Sequence, residues 1–171
     1  DVFMKTTENE DDQAKKPRPM FLMDTVDTPI GPLTLLAKDG VLLLLEFADA
    51  EDRVAREMAA RFGAVEIVPA QNPFGLSARI TAYFAGDLHI IDDIVCDGGG
   101  TAFQARVWAE LRRIPLGTTI SYGELATRLG DKNAMRAVGL ANGRNPISIV
   151  VPCHRVIGAN GSMTGYGGGI K

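Results

Sequence analysis

Cys153 and His154 are the residues of this sequence best suited to covalent chemistry, and they lie side by side in Pro152-Cys153-His154-Arg155-Val156. A thiolate is the nucleophilic form of cysteine, and a neighbouring base or cation favours it. His154 can serve as that base, and Arg155 can supply the positive charge. The segment therefore predicts a nucleophilic Cys153, against the alternative of a cysteine that only packs in the core.

The adjacency of Cys153 and His154 limits how the two can act together. Residues 147–151 predict a short buried strand, and neighbouring side chains of an extended chain point to opposite faces. A direct contact, as in cysteine proteases, would need a sharp turn, whereas a water between the two side chains would not. The other histidine, His89, lies in an apolar stretch and is expected to be a satisfied structural histidine.

The two cysteines of the chain exclude several other kinds of site. They are too few and too far apart for a disulfide framework. Cys96 has no cation beside it in sequence, so we expect it to pack at the end of a strand. Together with His89 and His154 the cysteines match no known spacing of metal ligands, and we predict no metal site.

Charge is distributed unevenly along the 171 residues, whose formal net charge is −3. Residues 1–99 hold 9 Lys and Arg against 18 Asp and Glu, a net charge of −9, whereas residues 100–171 hold 9 against 3, a net charge of +6. A basic half favours an anionic partner, although chance segregation onto two solvated faces would give the same pattern. No apolar stretch approaches the ~18 residues of a membrane span.

The elements that must position Cys153 fall into two predicted domains. Residues 1–19 are charged and proline-rich and predict a disordered leader, and residues 20–97 predict a small α/β domain. Asp39-Gly40 is typical of a hairpin turn between two apolar runs. The predicted elements of this domain are the strands 33–37, 41–47 and 65–68 and the helices 50–62 and 76–84.

Residues 98–171 predict a mostly helical second domain, which begins at Gly98-Gly99-Gly100. Three helices are predicted, with Thr101 as a cap of the first: 102–113, 122–129 and 132–141. Ser121 and Glu124 have the spacing of a capping box at the second helix. Two short helices joined by a tight glycine turn are typical of a helix-turn-helix.

The third predicted helix combines small residues with arginines, from Met135 to Arg144. Small side chains allow close approach to another surface, and arginines bind phosphates or enter a groove. This composition favours a helix that faces DNA. A helix packed tightly inside the domain, with solvated arginines, is the alternative.

These motifs together closely resemble the O6-alkylguanine-DNA alkyltransferase family, and its bacterial type in particular. The resemblance rests on five short segments: Pro152-Cys153-His154-Arg155-Val156, Gly143-Arg144-Asn145-Pro146, Gly165-Tyr166-Gly167-Gly168-Gly169, Thr28-Pro29-Ile30-Gly31-Pro32-Leu33 and Tyr83-Phe84-Ala85-Gly86. It implies a ribonuclease-H-like α/β domain over 20–97. It also implies a helix-turn-helix domain over 98–171 that both binds DNA and accepts the alkyl group.

The resemblance implies a DNA-repair protein that flips O6-alkylguanine, with O4-alkylthymine as a further lesion, out of duplex DNA held by its minor groove. The alkyl group would pass irreversibly to the protein's own cysteine in a single turnover, without a cofactor. The expected protein is a cytoplasmic monomer with no membrane partner. The alternatives are a non-catalytic alkyltransferase-like protein, whose known examples replace the cysteine that is present here, and a transcription regulator, for whose sensing domain 171 residues leave no room.

The resemblance also assigns roles to individual residues. The expected catalytic residues are Cys153 as acceptor, His154 as base through a water, Tyr122 as proton donor to guanine and Asn145 as hinge. The expected DNA contacts are Arg136, which replaces the flipped base, with Tyr122, Gly123, Ala137 and Gly139. The expected walls of the substrate pocket are Val156, Tyr166 and Gly167.

The sequence departs from the family pattern at two places. The family's final helix carries a glutamate that orients the histidine, and no residue of the 171 matches it, so the role is left unassigned. Met135 stands where relatives often have alanine, and its bulk is expected to alter docking on DNA.

Overall fold

The computed structural model describes residues 20–48, 51–63 and 66–158. The predicted leader, residues 1–19, and the predicted pocket residues Tyr166 and Gly167 lie outside this part of the chain. Within it, a mixed sheet with two helices is followed by a helical region, which confirms the predicted α/β class.

The first part of the chain builds a four-stranded sheet in the order β3-β2-β1-β4. Its strands are β1 (Met20–Val26), β2 (Leu33–Lys38), β3 (Val41–Phe47) and β4 (Glu66–Pro69). The first three pair antiparallel, and β4 pairs parallel with β1. The hairpin between β2 and β3 turns at Asp39 and Gly40, which have φ values of 53° and 80°, as the Asp-Gly signal predicts.

Strand β3 is apolar almost throughout because both faces of the sheet are covered. One face buries Leu43 and Leu44 with Met58 of helix α1 (Glu51–Phe62). The other buries Leu42 and Leu45 in a cluster shared with the helical second part. The sequence of a strand that is buried on both faces is a continuous apolar run rather than an alternation of apolar and polar residues.

Helix α2 (Leu76–Phe84) matches its predicted bounds and follows a 3-10 turn at Pro73–Gly75. Three further helices form the second part: α3 (Ala102–Leu111), α4 (Tyr122–Arg128) and α5 (Met135–Gly143). Thr101 caps α3 as predicted, and Gln104 completes a capping box there.

Two helix-start predictions of the second part need correction. Ser121 accepts a hydrogen bond from the backbone N–H of Glu124 at 3.0 Å, but the Glu124 carboxylate pairs with Arg128 at 3.0 Å instead of closing a capping box. Helix α5 begins at Met135 rather than at residue 132. Asp131 causes the delay because its side chain accepts from the N–H of Asn133, which forms a turn that competes with the helix.

The proposed domain boundary at Gly98 falls where the chain leaves the sheet. Cys96 bridges to Leu42, and Ile147 of the second part bridges to Leu45, so backbone hydrogen bonds from both sides reach β3. The main core cluster contains residues of both parts, with Leu33 and Leu35 beside Leu111 and Leu125.

Candidate active site and DNA-facing helices

The segment that carries Cys153 is a series of tight turns, and the predicted strand over 147–151 is wrong. Only its first residue pairs with β3, through a single bridge. Ile149 has a φ of 73°, and the N–H of Val150 donates to the carbonyl of Ser148 at 2.8 Å, which defines a γ-turn centred on Ile149. The residues are buried as predicted, but the backbone around Ile149 is strained rather than extended.

Asn145 explains why this buried segment needs no strand partner. Its Oδ1 accepts from the N–H of Ile147 at 2.9 Å, and its Nδ2 donates to the carbonyls of Val151 at 2.8 Å and Ile147 at 3.3 Å. One buried amide therefore satisfies backbone groups that a sheet would otherwise pair. Asn145, predicted as a hinge, lies where α5 passes into the turns that lead to Cys153.

Cys153 and His154 lie on a turn of 3-10 helix, Cys153–Arg155, rather than on an extended chain. Pro152 has φ −83° and ψ 69°, and the N–H of Cys153 donates to the carbonyl of Val151 at 2.9 Å, which is an inverse γ-turn. Successive residues of a 3-10 helix are separated by about 120° around its axis. The expectation that the two side chains point to opposite faces is therefore wrong, because the chain turns sharply at Cys153.

The electrostatics of Cys153 are dominated by burial, since the residue is only 4% exposed. Burial raises the pKa of the Cys153 thiol to about 11, although hydrogen bonds from Asn145 and from backbone N–H groups oppose the rise; the negative charge of Glu46 adds to it. Burial, followed by the charge of Arg155, lowers the pKa of His154. At neutral pH the Cys153 thiol is therefore protonated and the His154 imidazole is neutral, which is the form that can accept a proton.

Arg155 makes a structural contact in addition to carrying its charge. Its guanidinium donates to the carbonyl of Ile114 at 2.7 Å, which ties the 3-10 turn to the turn that follows α3. The charge of Arg155 acts on the pKa of His154, whereas the pKa of Cys153 is shifted by burial, Asn145, Glu46 and neighbouring backbone N–H groups. That Arg155 favours the thiolate stays a prediction.

Tyr122 reaches the Cys153 region through a short parallel pairing. Strand β6 (Val156–Ile157) follows the 3-10 turn and pairs with β5 (Ile120–Ser121), which directly precedes α4. The first residue of α4, Tyr122, is thereby placed beside the end of the reactive segment, and it is buried. Val156 is buried at this pairing, and its role in the pocket stays a prediction.

Asn142 connects Tyr122 to Cys153 and was missed by the sequence analysis. Its Nδ2 lies 3.3 Å from the Tyr122 hydroxyl and 3.3 Å from the carbonyl oxygen of Cys153. The residue is 1% exposed, and it shares the buried side of α5 with Val138 and Ala141. A lone amide at helical spacing among apolar residues was the signal that could have found it.

The opposite side of α5 is open to solvent. Its exposed residues are Met135, Arg136, Ala137 and Leu140. Within the described residues, no ion pair or hydrogen bond occupies the Arg136 side chain, which leaves its charge available to a partner. The predicted DNA contacts Arg136 and Ala137 thus share one accessible surface.

Gly123 and Gly139 are not required by the internal packing of the two helices. A Cβ at Gly123 would lie 3.6 Å from the sulfur of Met135, and one at Gly139 would lie 3.9 Å from the Tyr122 ring, both ordinary contacts. Both glycines also have ordinary helical φ values. The packing of the two helices therefore leaves room for a Cβ at both positions.

His89 and Cys96 lie apart from this site. His89 lies exposed in the turns of residues 88–93, and its Nδ1 lies 2.8 Å from the Asp92 carboxylate, so the ring has a hydrogen-bond partner as expected of a structural histidine. Cys96 is half-buried at its bridge to Leu42, as expected of a packing residue, and burial raises its pKa to about 11 despite Arg112.

Metal-binding clusters and membrane-spanning helices are absent from the part of the chain that the structure describes. No group of three or more His, Cys, Asp or Glu side chains there is arranged to hold a metal ion. None of the helices in that part of the chain has the length and apolar character needed to span a bilayer.

Known proteins resemble this chain in sequence over most of its length. The family description "6-O-methylguanine DNA methyltransferase, DNA binding domain" matches residues 102–171. The chain is 48% identical over 154 residues to the methylated-DNA–protein-cysteine methyltransferase of Shigella flexneri, which covers 88% of the chain and 90% of that relative. It is 50% identical over 151 residues to the protein of the same name from Mycolicibacterium paratuberculosis, covering 85% and 84%.

Solved structures agree with the sequence relatives. The crystal structure of Mycobacterium tuberculosis O6-methylguanine methyltransferase matches with a TM-score of 0.72 at 46% identity, covering 88% of this chain and 87% of that one. A structure of Mycobacterium tuberculosis OGT in complex with DNA matches with a TM-score of 0.70 at 45% identity, covering 88% and 85%. The likeness therefore extends through both the sheet and the helices.

Proposed function

The chain belongs to the methylated-DNA–protein-cysteine methyltransferase family, and from this membership we propose that it repairs DNA by taking the alkyl group of O6-alkylguanine onto Cys153. The observation that carries the proposal is a buried thiol on the segment that directly follows a helix-turn-helix in the chain. The tight turns after α5 join the DNA-facing helix to the nucleophile, so both belong to one continuous unit.

The proposed transfer is a single displacement at the alkyl carbon. His154 takes the proton of Cys153 through a water, and the thiolate sulfur then forms a bond to the carbon as the bond from that carbon to guanine O6 breaks. The electron pair of the broken bond stays with the guanine, and Tyr122 gives the ring a proton. The products are unmodified guanine and a thioether on Cys153, which no simple step reverses, so each molecule acts once.

The protonated state of the resting thiol fits this mechanism. A thiol whose pKa is raised to about 11 holds its proton at neutral pH, while the lowered pKa of His154 keeps the imidazole neutral and able to accept that proton. Deprotonation would then accompany substrate binding rather than precede it.

DNA binding is proposed to use α4 and α5 in the minor groove. A relative with 45% identity has been crystallised with DNA. The exposed Arg136 would fill the space left by the flipped base, and the small residues Gly123, Ala137 and Gly139 would allow close approach. Flipping costs roughly a few kcal/mol, and least where the base pair is already weakened by damage.

Labelled DNA tests the proposal directly. Duplex DNA carrying O6-methylguanine with an isotopic methyl group should leave one label per protein molecule, located on Cys153 by mass spectrometry. Cys153→Ser should bind the duplex and transfer nothing, while Cys96→Ser should transfer normally. Label on Cys96, or many turnovers per molecule, would overturn the mechanism, and binding of lesions without any transfer would instead indicate a non-catalytic lesion-binding protein.

A further inference from the structure

We propose that Asn142 is a positioning residue, which donates a hydrogen bond to the Tyr122 oxygen and so directs the hydroxyl proton toward the substrate. The inference rests on the proposed function, since it concerns how Tyr122 is held for proton donation. Asn142 spans the two groups with one nitrogen atom, 3.3 Å from the phenol oxygen and 3.3 Å from the Cys153 carbonyl. Through this side chain, α5 contacts both the Tyr122 hydroxyl and the Cys153 backbone.

The orientation of the Asn142 amide follows from the chemistry of its partners. A backbone carbonyl can only accept a hydrogen bond, so the amide atom that faces the Cys153 oxygen must be the nitrogen. The same nitrogen faces the Tyr122 hydroxyl. Its two hydrogens are then donated to two different oxygens, and the phenol oxygen of Tyr122 is the acceptor.

This arrangement determines what Tyr122 can do with its own proton. A hydroxyl that accepts from Asn142 cannot give its proton to that same amide nitrogen, so the proton must point elsewhere. As the proton leaves, negative charge forms on the phenol oxygen, and a donated hydrogen bond stabilises that charge. Asn142 therefore both orients the donor and supports it during transfer.

The remaining atom of the amide shows that stability alone does not explain Asn142. Its Oδ1 is buried and has no hydrogen-bond partner within the part of the chain that the structure describes. An unpaired buried acceptor destabilises a fold, and the neighbouring buried residues of α5, Val138 and Ala141, are apolar. An apolar side chain would suit this position better if packing were its only task.

A double-mutant cycle tests the coupling between Asn142 and Tyr122. General-acid catalysis contributes ~10²–10⁴-fold, so we expect Tyr122→Phe to slow single-turnover methyl transfer by at least ~10²-fold and Asn142→Leu by at least about tenfold. The double variant should be no slower than Tyr122→Phe alone, because Asn142 acts through the hydroxyl. Multiplied losses in the double variant would overturn the proposal.

A buried neighbour controls for loss of packing. Val138→Ala removes volume from the same side of α5 without touching the hydroxyl, and its effect on rate should multiply with that of Tyr122→Phe. Asn142→Leu should keep its affinity for undamaged duplex, which would show that the exposed side of α5 is unchanged. If Asn142→Leu fails to fold, the cycle is repeated with Asn142→Ala, which adds no bulk.

The outcomes separate this inference from the proposed function. If the parent protein transfers no methyl group, the proposed function fails and the cycle has no rates to compare. If the parent transfers methyl and the losses multiply, only the role of Asn142 fails. A normal rate for Asn142→Leu in a protein that repairs DNA would also reject the inference.

Discussion

Cys153 combines features that are seldom found in a reactive thiol. Most activated cysteines have lowered pKa values, whereas burial raises the pKa of this one to about 11. A nucleophile that reacts only once gains from staying protonated between substrates, because thiol oxidation and chance alkylation follow thiolate character and exposure. In the proposed mechanism, His154 would then activate the thiol only when a lesion is in place.

The raised thiol pKa values predict a loss of stability in alkali. Cys153 and Cys96 each rise from 9.0 to about 11 on folding, so the folded state binds more protons than the unfolded chain between these values. The free energy of unfolding should therefore fall as the pH rises from 9 toward 11. Denaturant unfolding at a series of pH values measures this slope.

Single cysteine variants show how much each thiol contributes to the loss of stability as the pH rises. Cys153→Ala should remove the contribution of Cys153 to the fall in unfolding free energy at alkaline pH, and Cys96→Ala should remove that of Cys96. The double variant should remove both contributions. An unchanged slope in Cys153→Ala would mean that the thiol is not held in its neutral form by burial.

At the scale of elements, α5 has two sides with different tasks. Its buried side carries Val138, Ala141 and Asn142, and its exposed side carries Arg136 and Leu140. Gly139 lies between them, against the ring of Tyr122, with room for a methyl group. Since internal packing does not require glycine here, a substitution at Gly139 can test the predicted DNA contact without disturbing the core.

Gly139→Ala should stabilise the protein and weaken its binding to DNA. Replacing glycine by alanine inside a helix contributes about 0.5–1 kcal/mol, and the added Cβ would meet only ordinary contacts. On the DNA side the same methyl group would prevent the closest approach of α5 to the groove. Thermal unfolding and fluorescence anisotropy with a labelled duplex measure the two effects, and unchanged affinity would place Gly139 outside the interface.

At the scale of the whole molecule, the junction between the two parts is a packed structure. The segment from Gly98 to Gly100 lies against Trp108, whose indole N–H donates to the carbonyl of Ala141 in α5 at 2.8 Å. A Cβ at Gly98 would lie 2.8 Å from the Trp108 ring, and one at Gly100 would lie as close. The tight packing of the junction therefore leaves no room for a side chain at Gly98 or Gly100, in addition to any need for the chain to turn there.

Gly98→Ala should destabilise the junction. The added methyl group must displace a buried indole, and overpacking of this kind costs about 1–3 kcal/mol. Trp108 is the only tryptophan of the chain, so its fluorescence reports unfolding and any local shift. Gly123→Ala, whose Cβ meets only an ordinary contact, is the matched control for stability. Equal stability of the two variants would show that the junction is loosely packed.

Much of the fold could be predicted because its signals are local. Asp39-Gly40 determines a hairpin, Gly63 ends α1, and Thr101 begins α3, each through backbone preferences of one or two residues. The predicted strand over 147–151 failed because its apolar residues signal burial without signalling conformation. There, a side-chain amide at Asn145 replaces the partner strand that burial would otherwise require.

By itself the sequence predicted Cys153 as the nucleophile beside a histidine, the helix-turn-helix and the family resemblance that links them, since these depend on residue type and short spacing. Only the tertiary structure decided that Cys153 and His154 lie on a 3-10 turn, that Arg155 donates to the Ile114 carbonyl, and that Asn142 joins Tyr122 to Cys153. Contacts between distant residues, and the burial that raises the pKa of Cys153, arise only when α4, α5 and the turns before Cys153 pack together.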